Sequence, residues 1–148
     1  MGHDREAGAI MVPMRFVFAY CGIAVALLGA AATSSAGREG PTATLRADVA
    51  EWSIVPSTGV VPAGRVRIDV RNLGNAPHEV VLVKTATFAQ RLHLRGSRAV
   101  VQRPLGTVVV RGGARGSFTA TLAPGSYLML DNLPWHYWAG TSAAFSVR

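Results

Sequence analysis

The chain has 148 residues, of which 49% are hydrophobic, and a formal net charge of +7. This length suits a single domain and little more. Lys84 is the only lysine among the fifteen basic residues, and an arginine bias of this kind is often an effect of base composition. Because the arginines are spread over strand faces and turns, we expect a solvated surface and no nucleic-acid partner. An acidic partner or an anionic surface is the alternative.

The N-terminal segment has the pattern of a secretory signal. An arginine precedes the apolar run of residues 16–32, and the small residues Ser34 and Ala36 follow it. This arrangement is typical of a cleavable signal peptide, so we predict a signal over residues 1–36 and a linker over residues 37–41. An uncleaved N-terminal anchor is the alternative, although the run is shorter than the roughly 20 apolar residues that span a membrane.

The predicted mature chain contains no cysteine. Cys21 is the only cysteine, and it lies inside the apolar run. Cleavage of the signal would leave about 112 residues (148 − 36) and no thiol, hence no disulfide and no thiolate metal ligand. From the predicted signal peptide we expect a periplasmic, cell-envelope or secreted protein that contacts a membrane only if the leader is retained.

From residue 42 onward the sequence has the pattern of short strands separated by Gly and Pro turns. Residues 65–71 alternate between charged and β-branched side chains, which predicts a strand with one buried and one solvated face. Residues 85–105 depart from this pattern, and a short helix is one interpretation of residues 86–94. Further strands are expected within residues 42–54 and at residues 78–84, 107–110, 116–122, 127–130 and 142–147. Seven to eight such strands predict an all-β sandwich over residues 42–148.

The spacing of polar residues near the C-terminus is the most informative local pattern. Four residues separate Asp131 from His136, and four more separate His136 from Thr141. This stretch resembles the C-terminal ligand loop of the cupredoxins, the family of plastocyanin and azurin, in which a Cys, a His and a Met at this spacing bind copper between the last two strands. The family's fourth ligand is an upstream His at the start of a strand, and His78 matches it. The resemblance covers nearly all of the predicted mature chain and implies a cupredoxin-like Greek-key β-sandwich.

The resemblance fails at the two sulfur positions, where this chain has Asp131 and Thr141. Type 1 copper depends on a Cys thiolate and a weak axial Met. A carboxylate oxygen with two imidazoles favours Cu(II), then Zn(II), and does little for Cu(I). We therefore predict a sulfur-free metal site and no blue electron carrier, and the ligand set implied by the resemblance is His78, Asp131, His136 and Thr141.

Each of these residues also has an interpretation without a metal. Asp131 is followed by an asparagine and can form a turn with nearby backbone amides. His136 can pack among its aromatic neighbours, and His78 can bond to a neighbouring carbonyl. The protein would then be a metal-free cupredoxin-fold module for protein–protein interaction in the cell envelope.

An aromatic cluster flanks the second histidine and consists of Trp135, Tyr137 and Trp138. In the family this end of the sandwich is where partners dock, so the resemblance implies that the cluster binds an envelope protein. The alternative is that the cluster fills the volume around a vestigial site. We expect no enzymatic activity, because the sequence has no nucleophile elbow, no phosphate loop and no paired carboxylates in a motif context. It gives no sign of a small-molecule substrate either.

Overall fold

The computed structural model describes residues 40–148. The predicted signal peptide and most of the predicted linker lie outside these residues, so cleavage and anchoring stay predictions. Among residues 40–148, no helix is long and apolar enough to cross a membrane.

All regular structure in residues 40–148 is β-strand, which confirms the predicted all-β sandwich. Three of the eleven strands have two residues each, which leaves eight longer strands. In chain order the strands are β1 (Ala43–Ala50), β2 (Ser53–Pro56), β3 (Val60–Val61), β4 (Gly64–Asn72), β5 (His78–Thr85), β6 (Leu94–Arg95), β7 (Arg98–Ala99), β8 (Gly106–Val110), β9 (Arg115–Leu122), β10 (Gly125–Asp131) and β11 (Ser142–Val147).

The strands form two packed sheets and one small hairpin. The four-stranded sheet has the order β2-β1-β4-β9, the five-stranded sheet has the order β3-β11-β10-β5-β8, and β6 pairs with β7. Strand β4 shows the predicted alternation, since Val66, Ile68 and Val70 are buried between exposed or half-buried neighbours. The inner faces of both sheets form the main core, in which Tyr127 stacks on Phe145 with ring centroids 5.6 Å apart.

The outer face of β5 and β10 is buried as well, by the segment of residues 86–101. Val81 and Val83 of β5 and Leu128 and Leu130 of β10 pack with residues of that segment. For this reason β5 and β10 show nearly continuous burial instead of alternation.

The interpretation of residues 86–94 as a short helix is wrong. The segment consists of turns and bends that lead into the β6–β7 hairpin. Two of its backbone amides bond to side chains instead of to the carbonyls of a helix: Ala86 N–H donates to the Gln90 side chain at 2.6 Å, and Leu92 N–H donates to the Tyr137 hydroxyl at 2.9 Å. The apolar side chains of the segment therefore serve to cover the sheet.

The pairing of β5 with β10 decides where the candidate ligands lie. The two strands are antiparallel, and Asp131 at the end of β10 lies opposite Val80 near the start of β5. His78, the first residue of β5, is therefore next to Asp131 at the same end of the sandwich. The loop of residues 132–141 begins and ends there too, because it joins β10 to β11.

A close contact between the two sheets gives a test of this packing. Gly106 in β8 lies against the ring of Phe118 in β9, and a Cβ at position 106 would be 2.1 Å from a ring carbon. We expect Gly106→Ala to lower the free energy of unfolding by about 1–3 kcal/mol, because the ring must move. In a Phe118→Ala background the same substitution should cost less than about 0.5 kcal/mol. Chemical denaturation of the four proteins measures this, and an equal cost in both backgrounds would contradict the contact.

Candidate metal centre

A single carboxylate oxygen joins the two histidines. Asp131 Oδ2 lies 2.6 Å from His78 Nδ1 and 2.5 Å from His136 Nδ1. The three side chains form a group whose potential ligand atoms all lie within 4.8 Å of one another. His78 and Asp131 are fully buried, whereas His136 retains 19% exposure of its side chain. The fold thus brings together three predicted ligands, although His78 is more than fifty positions from either of the others in the sequence.

The second oxygen of Asp131 holds the backbone around the site. Asp131 Oδ1 accepts hydrogen bonds from Glu79 N–H at 3.1 Å and from Leu133 N–H at 3.0 Å. The bond to Leu133 is the turn contact expected of an aspartate that begins a loop. The turn-forming interpretation of Asp131 therefore holds for Oδ1, while Oδ2 faces the two histidines.

Thr141, the fourth residue implied by the family resemblance, is fully buried at the end of the same loop. Its N–H donates to His136 O at 3.1 Å, and its carbonyl accepts Asp131 N–H at 3.0 Å. Its hydroxyl has no hydrogen-bond partner among the residues that the structure describes, and neither does His78 Nε2. Buried polar atoms without a partner are uncommon in proteins and call for an explanation such as an ion or a water.

The basic segment before β8 fastens the loop that carries His136. Arg98 of β7 donates to the Glu79 carboxylate at 2.6 Å and to Asn132 O at 2.7 Å. The Asn132 side chain exchanges two hydrogen bonds with the Ala99 backbone, and Trp135 N–H donates to Ser97 O at 2.8 Å. Arg98 therefore has a structural contact with this loop, which the sequence pattern did not indicate.

The aromatic cluster divides into an exposed and an inward-facing part. Trp135 and Trp138 are 59% and 68% exposed and meet edge to face with ring centroids 6.3 Å apart. Tyr137 is half-buried instead, packs against the residues that cover β5 and β10, and uses its hydroxyl to hold Leu92 N–H. The exposed surface at this end thus comes from the two indoles, and its role in partner binding stays a prediction.

The turn between β1 and β2 contributes to the site in a way that the sequence did not reveal. The Glu51 carboxylate accepts hydrogen bonds from Asn75 N–H at 2.7 Å and from Ala76 N–H at 3.0 Å, in the loop that leads into His78. The next residue, Trp52, places its ring against His136, with centroids 5.3 Å apart. An acidic residue followed by a tryptophan in a turn matches no motif with a characteristic spacing. Only the contacts between the two sheets show that Glu51 and Trp52 belong to the surroundings of the site.

The fold has solved relatives. The dithionite-reduced auracyanin of Roseiflexus castenholzii is 21% identical over 74% of this chain and 99% of its own, with a TM-score of 0.55. Auracyanin A of Chloroflexus aurantiacus, a "blue" copper protein, is 19% identical over 74% and 100% with a TM-score of 0.52, and reduced rusticyanin is 15% identical over 74% and 82% with a TM-score of 0.53. No family model and no curated protein matches the sequence. Residues 40–148 therefore have the cupredoxin fold, with a His/Asp/His group that could hold a metal.

The hydrogen bonds of Glu51 give a pH-dependent prediction. The amides of Ala76, of Glu51 itself and of Asn75 lower the pKa of the Glu51 carboxyl from 4.5 to about 2. A carboxyl with a lowered pKa in the folded state stabilises the fold fully above its unfolded value, and this contribution is lost as the pH falls through the folded value. The stabilisation should therefore be present above about pH 4.5 and disappear towards about pH 2.

We expect Glu51→Gln, which keeps an acceptor oxygen but removes the charge, to unfold more easily than the wild type at neutral pH. The difference should shrink as the pH falls through this window. Urea denaturation over a pH series measures it. Asp48→Asn is a suitable control, because Asp48 is exposed in neighbouring β1 and makes no hydrogen bond through its side chain to the residues that the structure describes. A deficit of Glu51→Gln that is the same at all pH values would contradict the role of the charge.

Proposed function

We propose that this protein is an exported metal-binding protein with the cupredoxin fold, and that its site binds Cu(II) through His78, Asp131 and His136, with the Thr141 hydroxyl as a weak fourth ligand. The observation that carries the proposal is the shared Oδ2 of Asp131, towards which both imidazoles direct the same ring nitrogen. Two nitrogens and a carboxylate oxygen form a donor set suited to a divalent ion of intermediate hardness.

The donor set fits a divalent ion and does not fit type 1 copper. No sulfur atom lies in the group of potential ligands found in residues 40–148, so the thiolate that type 1 copper requires is missing. The Thr141 hydroxyl supports an ion at this place, because it is buried at the site and has no hydrogen-bond partner in the described part of the chain. An ion bound here would supply a positive charge to a fully buried carboxylate.

The interatomic distances indicate how the site has to adjust. Metal–nitrogen and metal–oxygen bonds of about 2.0–2.1 Å in tetrahedral geometry keep ligand atoms roughly 3.3 Å apart. Asp131 Oδ2 lies closer than this to both imidazole nitrogens, at 2.6 and 2.5 Å. Binding of an ion would therefore require Asp131 Oδ2 and the two imidazole nitrogens to move apart by about 0.8 Å.

A metal-free module for protein–protein interaction is the second candidate. It is favoured by the four hydrogen bonds that Asp131 already accepts, two from imidazoles and two from backbone amides, because a carboxylate satisfied in this way needs no ion. The exposed Trp135 and Trp138 would then be the surface for an envelope protein, since exposed aromatic side chains are frequent anchors of interfaces.

Copper titration distinguishes the two candidates. The full chain with His3→Ala and Cys21→Ser, which removes two leader side chains that could bind copper, should bind one equivalent of Cu(II) in calorimetry. His136→Ala should weaken binding by at least about 100-fold, beyond the 10- to 100-fold cost of losing a group outside the ligand set. Asp131→Asn should do the same while keeping an acceptor for the two amides. The affinity for Cu(II) should also decrease as the pH is lowered, because protons compete with the ion for the ligand atoms.

His93→Ala is the matched control for histidine loss, since His93 is exposed and outside the ligand group. It should bind Cu(II) like its parent. If the parent binds no more tightly than the His78→Ala/His136→Ala double variant, the site is not a metal site, and the metal-free module becomes the better account.

The colour of the copper form is a further prediction. Without a thiolate there is no sulfur-to-copper charge transfer, so the Cu(II) protein should be pale and lack an intense band in the visible region. Asp131→Cys should introduce such a band, whereas Asp131→Ser, a variant of similar size without sulfur, should not. Absorption and electron paramagnetic resonance spectra measure this. An intense blue band in the Cys21→Ser parent would contradict the proposed ligand set.

A further inference from the structure

His136 is the ligand side chain through which the candidate site reaches the surface. His78, Asp131 and Thr141 are fully buried, whereas His136 keeps 19% of its side-chain exposure. The outer side of His136 is not simply open to water, because the indole of Trp52 lies against it with ring centroids 5.3 Å apart and planes inclined by 50°. This indole comes from the turn between β1 and β2, in the other sheet.

The backbone of Trp52 adopts an unfavourable conformation to make this contact. Its φ angle is 69°, in the left-handed region, which bulky L-residues rarely occupy because the Cβ atom is crowded. Strained residues persist where the surroundings fix them, and they cluster at functional sites. Glycine would adopt this backbone without strain, so local turn geometry does not explain a tryptophan here.

The same turn is fixed to the segment that carries the other histidine. Glu51 receives two amide hydrogen bonds from residues 75 and 76, just before His78. Gly74 permits this close approach, since a Cβ at that position would lie 2.2 Å from a Glu51 carboxylate oxygen. One turn of the four-stranded sheet therefore contacts both histidine-bearing segments of the five-stranded sheet.

We propose that Trp52 is a positioning residue of the metal centre, which holds the His136 ring in place and slows the release of a bound ion. The inference rests on the proposed function, because it assigns to Trp52 control over how fast the ion leaves the same site. An ion held by three buried groups and one ligand at the surface leaves most directly by displacement of His136. The indole opposes that displacement by packing against the imidazole.

The chain offers a closely matched control. Trp135 also has a left-handed backbone, with a φ angle of 71°, and it is 59% exposed like Trp52. Its ring meets that of Trp138 and makes no ring contact with a histidine among the described residues. Trp52→Gly and Trp135→Gly thus remove the same side chain from the same backbone conformation, and they differ in whether the lost ring contacted His136.

The release of Cu(II) to an excess of chelator, followed by stopped-flow spectroscopy, tests the proposal in the His3→Ala/Cys21→Ser background. Trp52→Gly should release Cu(II) about two- to tenfold faster, as expected for the loss of one aromatic contact. Trp135→Gly should release it at the parental rate, and Trp52→Phe, which keeps a ring, should restore most of the difference. Urea denaturation of each variant shows whether any change in rate follows from a loss of global stability.

A measurement on the metal-free protein tests the contact itself. An indole shifts the nuclear magnetic resonance signals of protons that lie near its ring. Trp52→Gly should therefore move the signals of the His136 ring protons, whereas Trp135→Gly, which removes a ring without contact to His136, should move them much less. Equal release rates for Trp52→Gly and the parent, at equal stability, would overturn the inference while leaving the proposed function intact. A parent that binds no Cu(II) would overturn the proposed function and this inference with it.

Discussion

The buried carboxylate of Asp131 is the interaction on which the arrangement of this end of the molecule depends. A carboxylate without water is costly unless several donors satisfy it, and here two imidazoles and two backbone amides do so. The donors belong to the start of β5 and to the loop after β10, so the carboxylate holds these segments together. The register of β5 against β10 is equally necessary, because a slip by one residue would turn the side chain of His78 to the opposite face.

The carboxylate of Asp131 has two oxygens, and each of them has different partners. Oδ1 is used for the backbone of Glu79 and Leu133, whereas Oδ2 faces the two histidines. The contacts of Asp131 with the backbone and with the histidines are thus divided between its two oxygens. The fold is shared with auracyanin and rusticyanin at identities of 21% or less, and a shared fold does not fix the chemistry of the site built on it.

Residues outside the candidate ligand set also hold the candidate site in place. Arg98 and Asn132 fasten the loop to the β6–β7 hairpin, and the segment around this hairpin also covers the outer face of β5 and β10. The four-stranded sheet reaches the site through the turn that carries Glu51 and Trp52. Such supporting contacts hold ligand side chains in place, and their loss commonly weakens metal sites without removing a ligand.

The sequence by itself determined the sandwich, through the alternation along β4 and the regular spacing of turns, and it predicted that His78, Asp131 and His136 would meet. The sandwich and the spacing of Asp131 and His136 are local patterns, whereas the meeting of these two residues with His78 was implied only by the resemblance to the cupredoxins. The tertiary structure decided that residues 86–94 form turns instead of a helix, that Tyr137 faces inward, and that Trp52 contacts His136. Each of these depends on a partner from a distant part of the chain, and no periodicity or spacing in the sequence records which distant residues will pack together.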